Sequence, residues 1–134
     1  MLSKSKLVCF AATTNAAKAK AFFGDTLGLS LVDDSAFALV LDANGTMLRV
    51  QKVQDLSPAR YTALGWEVSD ICTTIKQLGK KGVRFERYDG LSQDELGIWT
   101  TPDGSRVAWF KDPDGNTLSV TEFRKKHRKA SKGV

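Results

Sequence analysis

A chain of 134 residues can bury one sizeable core but is too short for two ordinary domains. With 42% hydrophobic and 26% charged residues it falls outside the disordered and collagen-like classes, and no apolar run approaches the roughly 20 residues that a bilayer crossing needs. The formal net charge of +5 belongs to the chain's end: six of the 20 Lys and Arg residues lie from Arg124 onward with no acid among them, leaving 14 bases against 15 acids before that point.

The first residues, MLSKSKLVCFAATTNAA, have the look of a signal peptide, with two lysines, an apolar stretch and then small residues. The apolar stretch, Leu7 to Ala12, is shorter than the ~7 to 15 residues of a true signal core, and it runs straight into a helix. It is expected to be the first strand of a cytoplasmic protein. That strand ends at Asn15, a helix N-cap, and a helix over about 16–27 should bury Ala19, Phe22, Phe23 and Leu27. Gly28 stops the helix, a strand comes next over 29–32, and an Asn44-Gly45 turn leads into a last strand, NGTMLRV.

After a polar linker, QKVQDLSPAR, the pattern repeats. ALGWEVSD (63–70) matches VCFAATTN (8–15) at an offset of 55, and DGNTLSV (114–120) matches NGTMLRV (44–50) at an offset of 70. Asp70 caps a second helix over about 71–81, with Ile71, Ile75 and Leu78 on one side. Gly82 ends it, and a strand is expected over 83–86. The excursion YDGLSQDELGIWTTPDGS then stands where the first copy has only DDS, a place for a lid or a pocket rim. Two βαβββ modules, about 6–53 and 61–123, thus make one domain over residues 1–123, with a basic tail over 124–134. The tail has no interleaved aromatics and points to no specific nucleic-acid partner. His127, the chain's single histidine, lies in it and is not a candidate catalyst. Cys9 and Cys72 have neither zinc nor disulfide-framework spacing and are expected to be reduced, buried thiols.

The doubled pattern, the helix end FFGDTLGLSL, the stretch LGWEVSD and above all WFKDPDGNTLSV resemble the glyoxalase/bleomycin-resistance/dioxygenase family, also called the vicinal oxygen chelate superfamily. The resemblance covers about residues 6–123. It implies an α+β fold in which the two modules form a curved, mixed and mostly antiparallel sheet around a cavity, with the helices outside, in a homodimer. It does not fix the function, since this scaffold carries lyases, dioxygenases, isomerases, thiol transferases and drug binders.

Alternation along the strands sorts the side chains. Leu48, Val50, Leu118 and Val120 belong with the helices, and so do Leu64, Trp66 and Val68. Met47, Arg49, Gln51, Thr117, Ser119 and Thr121 then face the cavity, with Ala63, Gly65 and Glu67 and the first-copy residues Val8, Phe10 and Ala12. In metal-dependent members of the family four inward positions carry the ligands, and the resemblance places these at Val8, Ala63, Arg49 and Ser119. None offers an imidazole or carboxylate, and Arg49 brings a permanent positive charge. No metal and no cofactor is expected, which argues against metal-dependent glyoxalase or dioxygenase chemistry.

The candidate ligand-binding residues are Phe10, Met47, Arg49, Glu67, Trp99, Trp109 and Ser119, and no catalytic residue is identified. Arg49 can pair with a carboxylate or phosphate of a ligand, pair with Glu67, or simply be solvated. Ser119 has no histidine beside it to activate it. Glu67 becomes a general base only if burial raises its pKa. Phe10, Phe37, Trp99 and Trp109 are the aromatics that can line or rim a pocket for a flat ligand. The expected function is binding of a small organic ligand, aromatic or anionic, in the concave sheet, with no membrane partner. The alternatives are a metal-independent enzyme using Glu67 and Arg49, and a regulatory or structural protein that kept the fold and lost the pocket.

Overall fold

The computed structural model describes residues 1–124, so Lys125, Lys126, His127, Arg128, Lys129 and Lys132 of the expected basic tail lie outside the described residues. The first module runs β1 (Val8–Thr13), α1 (Ala16–Lys20), β2 (Ser30–Asp34), β3 (Ala38–Ala43) and β4 (Thr46–Lys52). The second runs β5 (Thr62–Glu67), α2 (Ile71–Lys80), β6 (Trp99–Thr100), β7 (Arg106–Lys111) and β8 (Thr117–Glu122). Each module makes a four-stranded sheet, in the orders β1-β4-β3-β2 and β5-β8-β7-β6, so the two share one plan. The chain divides into two compact units along the same lines, with one exchange: Met1–Ala63 takes in the turn Asp112–Asn116, and Leu64–Lys111 takes in the chain from Thr117.

In the first unit β1 runs parallel to β4, while β3 pairs antiparallel with both β4 and β2. Asn15 caps α1 by accepting from the Lys18 backbone N–H, as its sequence position predicts. The helix is shorter than expected: after Lys20 it widens into a π-helical turn over Ala21–Thr26, closed by the bond from Leu27 N–H to Phe22 O at 2.9 Å. The extra residue per turn rotates the later side chains about the helix axis. Ala19 and Phe23 are therefore buried, but Phe22 and Leu27 are only half-buried, contrary to expectation. Leu48 and Val50 are buried on alternate positions of β4, and Ala38, Leu39, Val40 and Leu41 are buried in succession on β3. At the β3–β4 turn Asn44 and Gly45 both have positive φ, 51° and 92°, the two-residue reversal that suits the twist of a hairpin.

The turn 112–116 belongs to this unit through its side chains. Asp112 is buried and accepts from the backbone N–H groups of Asp114 (3.0 Å) and Asn116 (2.9 Å) and from Asn116 Nδ2 (2.7 Å), which shapes the turn. Asp114 then accepts from Thr13 Oγ1 at 2.5 Å and from the N–H and hydroxyl of Thr14 at 2.8 and 2.6 Å. Asn116 donates to Ala12 O at 3.2 Å. The sequence DPDGN thus clamps the end of β1.

In the second unit β7 pairs antiparallel with β8 and β6. Asp70 caps α2 through the Thr73 N–H, and α2 lies against β8. Leu118, Val120, Phe110, Ala108, Ile71 and Ile75 are buried. Leu64, Trp66, Val68 and Leu78 are half-buried rather than buried. The expected strand over 83–86 does not form. Those residues meet β7 at the Phe85–Phe110 bridge, through Glu86 N–H to Trp109 O at 2.7 Å and through the Glu86 carboxylate to Lys111, and β6 from the long excursion takes the edge position. The cause is polar: Gln93 Nε2 bonds Glu86 O and Gly97 O, Asp94 accepts from Leu96 and Ile98 N–H, and Arg87 donates to Asp94 O, folding the excursion back on the chain. Cys9 and Cys72 are free and half-buried rather than buried.

Candidate functional site

The predicted site residues fall on one face of each sheet. In the first unit Arg49 sits on the central strand β4, with Phe10 as its partner on β1 and Val40 on β3. Neighbours in register share a face, so the cation lies between an aromatic and an aliphatic side chain. One step along, Met47 stands between Val8 and Asp42. Phe10 is 54% exposed, Met47 and Val8 are exposed, and Arg49 is half-buried. Arg49 makes no side-chain hydrogen bond or ion pair among the described residues. At the hairpin end of β3 and β4 a cavity of about 270 Å³ is lined by Leu7, Val8, Val32, Val40 and Met47, with Lys6 and Asp42 as its charged members.

In the second unit Ser119 pairs with Trp109 across β8 and β7, and Val107 pairs with both Thr121 and Trp99. This register puts Trp99, Trp109 and Ser119 on one face. The two indoles are stacked, with centroids 6.2 Å apart and 29° between planes, and Tyr88 meets Trp109 edge-on at 5.6 Å. Ser119 is only 6% exposed, and its hydroxyl has no hydrogen-bond partner among the described residues. No fully buried side-chain oxygen there is left unpaired, so this hydroxyl is reachable from outside. Gly65 on β5 lies directly against it: a Cβ added at Gly65 would stand 2.8 Å from Ser119 Oγ.

Thr117 on β8 is buried along with Ser119. Lys111, on the same face, is 3.7 Å from Glu86. Burial, and after it the Glu86 charge, push the Tyr88 phenol up, so it is neutral at neutral pH. Glu67 lies on β5 and is exposed. Phe37, at 79% exposure, sits in the β2–β3 connection.

Tyr88 and the significance of Gly65 were not singled out from sequence. Tyr88 had a signal, an aromatic at the start of the excursion. Gly65 had one too, a glycine inside a strand, which often marks a close approach. On the opposite face of the second sheet Arg106 bonds Glu122 at 3.2 Å, and Glu122 in turn accepts from Ile71 N–H, a structural tie between β7, β8 and α2. A cavity of about 340 Å³ lined by Ile75, Lys76, Phe85, Arg87 and Leu96 holds none of the predicted site residues. Among the described residues no three His, Cys, Asp or Glu side chains come together as a metal site, and no helix is long and apolar enough to cross a membrane.

Twin βαβββ modules with four-stranded mixed sheets define an α+β class whose open faces carry the site residues. Residues 7–120 match the model of the Glyoxalase/Bleomycin resistance protein/Dioxygenase superfamily, and the chain belongs to that superfamily. Among solved structures it resembles TnmS3, an antibiotic binding protein from Streptomyces sp. CB03234 (24% identity, TM-score 0.70, covering 92% of this chain and 99% of that one). It also resembles lactoylglutathione lyase from Agrobacterium tumefaciens (18% identity, TM-score 0.68, 88% and 93% covered). A third is a superfamily member from Sphaerobacter thermophilus DSM 20745 (25% identity, TM-score 0.66, 87% and 97% covered). These likenesses bear on the fold. Comparison with curated proteins gives no match.

Proposed function

We propose that the protein binds a small organic ligand without a metal, on the open face of the second sheet. The observation that carries this reading is Ser119: a hydroxyl without a hydrogen-bond partner, in a residue 6% exposed, directly across from the stacked Trp109 and Trp99. A planar surface with a convergent polar group suits an aromatic ligand. The antibiotic-binding activity in the name of TnmS3 is of the same kind, although the likeness to it is one of fold.

The side chains at Val8, Ala63, Arg49 and Ser119 do not fit a divalent cation. Two have no donor atom, one is a guanidinium and one a neutral hydroxyl, whereas such metals take imidazole, thiolate or carboxylate. No step through a metal is therefore derived. Arg49, unpaired between Phe10 and Val40, is the candidate partner for an anionic group. The reading also keeps the homodimer and the cytoplasmic location. Exposed Leu7, Phe10, Val32 and Phe37 support pairing of chains, which sedimentation would test.

A thermal-shift screen of chelator-treated protein against planar aromatics and small organic acids tests the proposal. A ligand at about 100 times its Kd adds about 2.7 kcal/mol, a rise on the order of 10 °C. Aromatics should give such a rise in the absence of metal. No shift with any of them would contradict it.

A further inference from the structure

Gly65 is not required by its backbone: it is absent from the glycines with positive φ. A glycine in a strand weakens the strand unless the missing side chain is used for a close approach. Here the space is used by Ser119 Oγ, which a Cβ would meet at 2.8 Å, closer than such contacts are found. On the other side of Ser119 stands Trp109, stacked on Trp99. The cation of this face, Lys111, lies beside Glu86. The face therefore offers a flat apolar wall, the unengaged hydroxyl of Ser119 beside it and no unpaired cation among these residues.

We infer that Gly65 is the specificity-determining residue of this face, holding Ser119 Oγ in the notch where it meets the single hydroxyl or carbonyl oxygen of an uncharged, planar aromatic ligand. This rests on the reading of the second sheet as a ligand face. It goes further by fixing the ligand's charge and its polar anchor. The hydroxyl can donate to a carbonyl or exchange hydrogen bonds with a phenol, and an anionic ligand meets no unpaired cation among these residues.

Calorimetric titration with naphthalene, 2-naphthol and 2-naphthoate tests it, the last in Arg49→Met protein so that the cation of the first unit does not contribute. The native protein should bind 2-naphthol about fivefold tighter than naphthalene, the gain from one hydrogen bond. Gly65→Ala, which drives Ser119 Oγ from its notch, should bring that ratio close to one. Ser119→Ala should do the same with no added bulk, which keeps the test intact if Gly65→Ala does not fold. The ratio is a readout that general destabilisation does not move. A full ratio surviving both substitutions, or 2-naphthoate bound more tightly than 2-naphthol, would overturn the inference while leaving an aromatic-binding face. Absence of binding by all three compounds would overturn that reading too.

Discussion

The two sheet faces grow from the same plan and the same register, yet they present opposite chemistry. In the first unit the central strand carries Arg49 between Phe10 and Val40, a fixed charge between apolar walls. In the second the equivalent position is Ser119, neutral and buried, opposite a stacked pair of indoles. Repeat equivalence fixes where a side chain sits and which way it points. It does not fix what the side chain does, and here the two copies carry a cation at one position and a neutral hydroxyl at its equivalent.

The hairpin turns differ in the same way. In the Asn44-Gly45 reversal Asp42 accepts from the Gly45 N–H at 3.1 Å, whereas Asp112-Pro113-Asp114-Gly115-Asn116 is shaped by Asp112 and also fastened by Asp114 to Thr13 and Thr14. Loss of the fastening should have the largest effect. Asp114→Ala removes three hydrogen bonds to a carboxylate and should cost about 2–3 kcal/mol in urea unfolding. Burial opposes ionisation of Asp114, but the hydrogen bonds from Thr13 and Thr14 outweigh it and hold its carboxyl below the ordinary aspartate value. A lowered folded pKa stabilises fully above that ordinary value, about 4. The contribution fades as pH falls through the folded pKa, so Asp114→Asn should flatten this part of the acid limb. Asp112 has the opposite sign: its carboxyl is pushed up by burial despite the bonds from Asn116, so its ionisation weighs against the fold as pH rises past the ordinary value.

Next in size is the aromatic wall. Trp109→Ala should weaken 2-naphthol binding by about 2 kcal/mol, with a smaller loss for Tyr88→Phe, which keeps the ring. A similar loss on changing Phe10 in the first unit would blur the contrast between the faces. Asn44→Ala, which strains a residue with φ of 51°, should cost about 1 kcal/mol in the same unfolding assay. The smallest expected effect sharpens the contrast most: Arg49→Met should leave 2-naphthol affinity unchanged and lower that of 2-naphthoate.

The features legible in the sequence are the local ones. The N-caps Asn15 and Asp70 rest on short-range signals, and they stand where expected. The strand over 83–86 does not, because Gln93 and Asp94 reach back from the excursion and redirect the chain. The fastening by Asp114 joins residues about 100 apart in sequence, beyond any pattern within one strand. The burial of Ser119 depends on a missing Cβ on a neighbouring strand, which alternation along β8 alone does not reveal.

Metal-free binding is the central claim, and one titration addresses it most directly. The protein is treated with chelator and dialysed, and 2-naphthol is then titrated calorimetrically with and without one equivalent of Zn²⁺ or Ni²⁺. The same Kd is predicted in every case. Binding that arises only after the metal is added would contradict the claim.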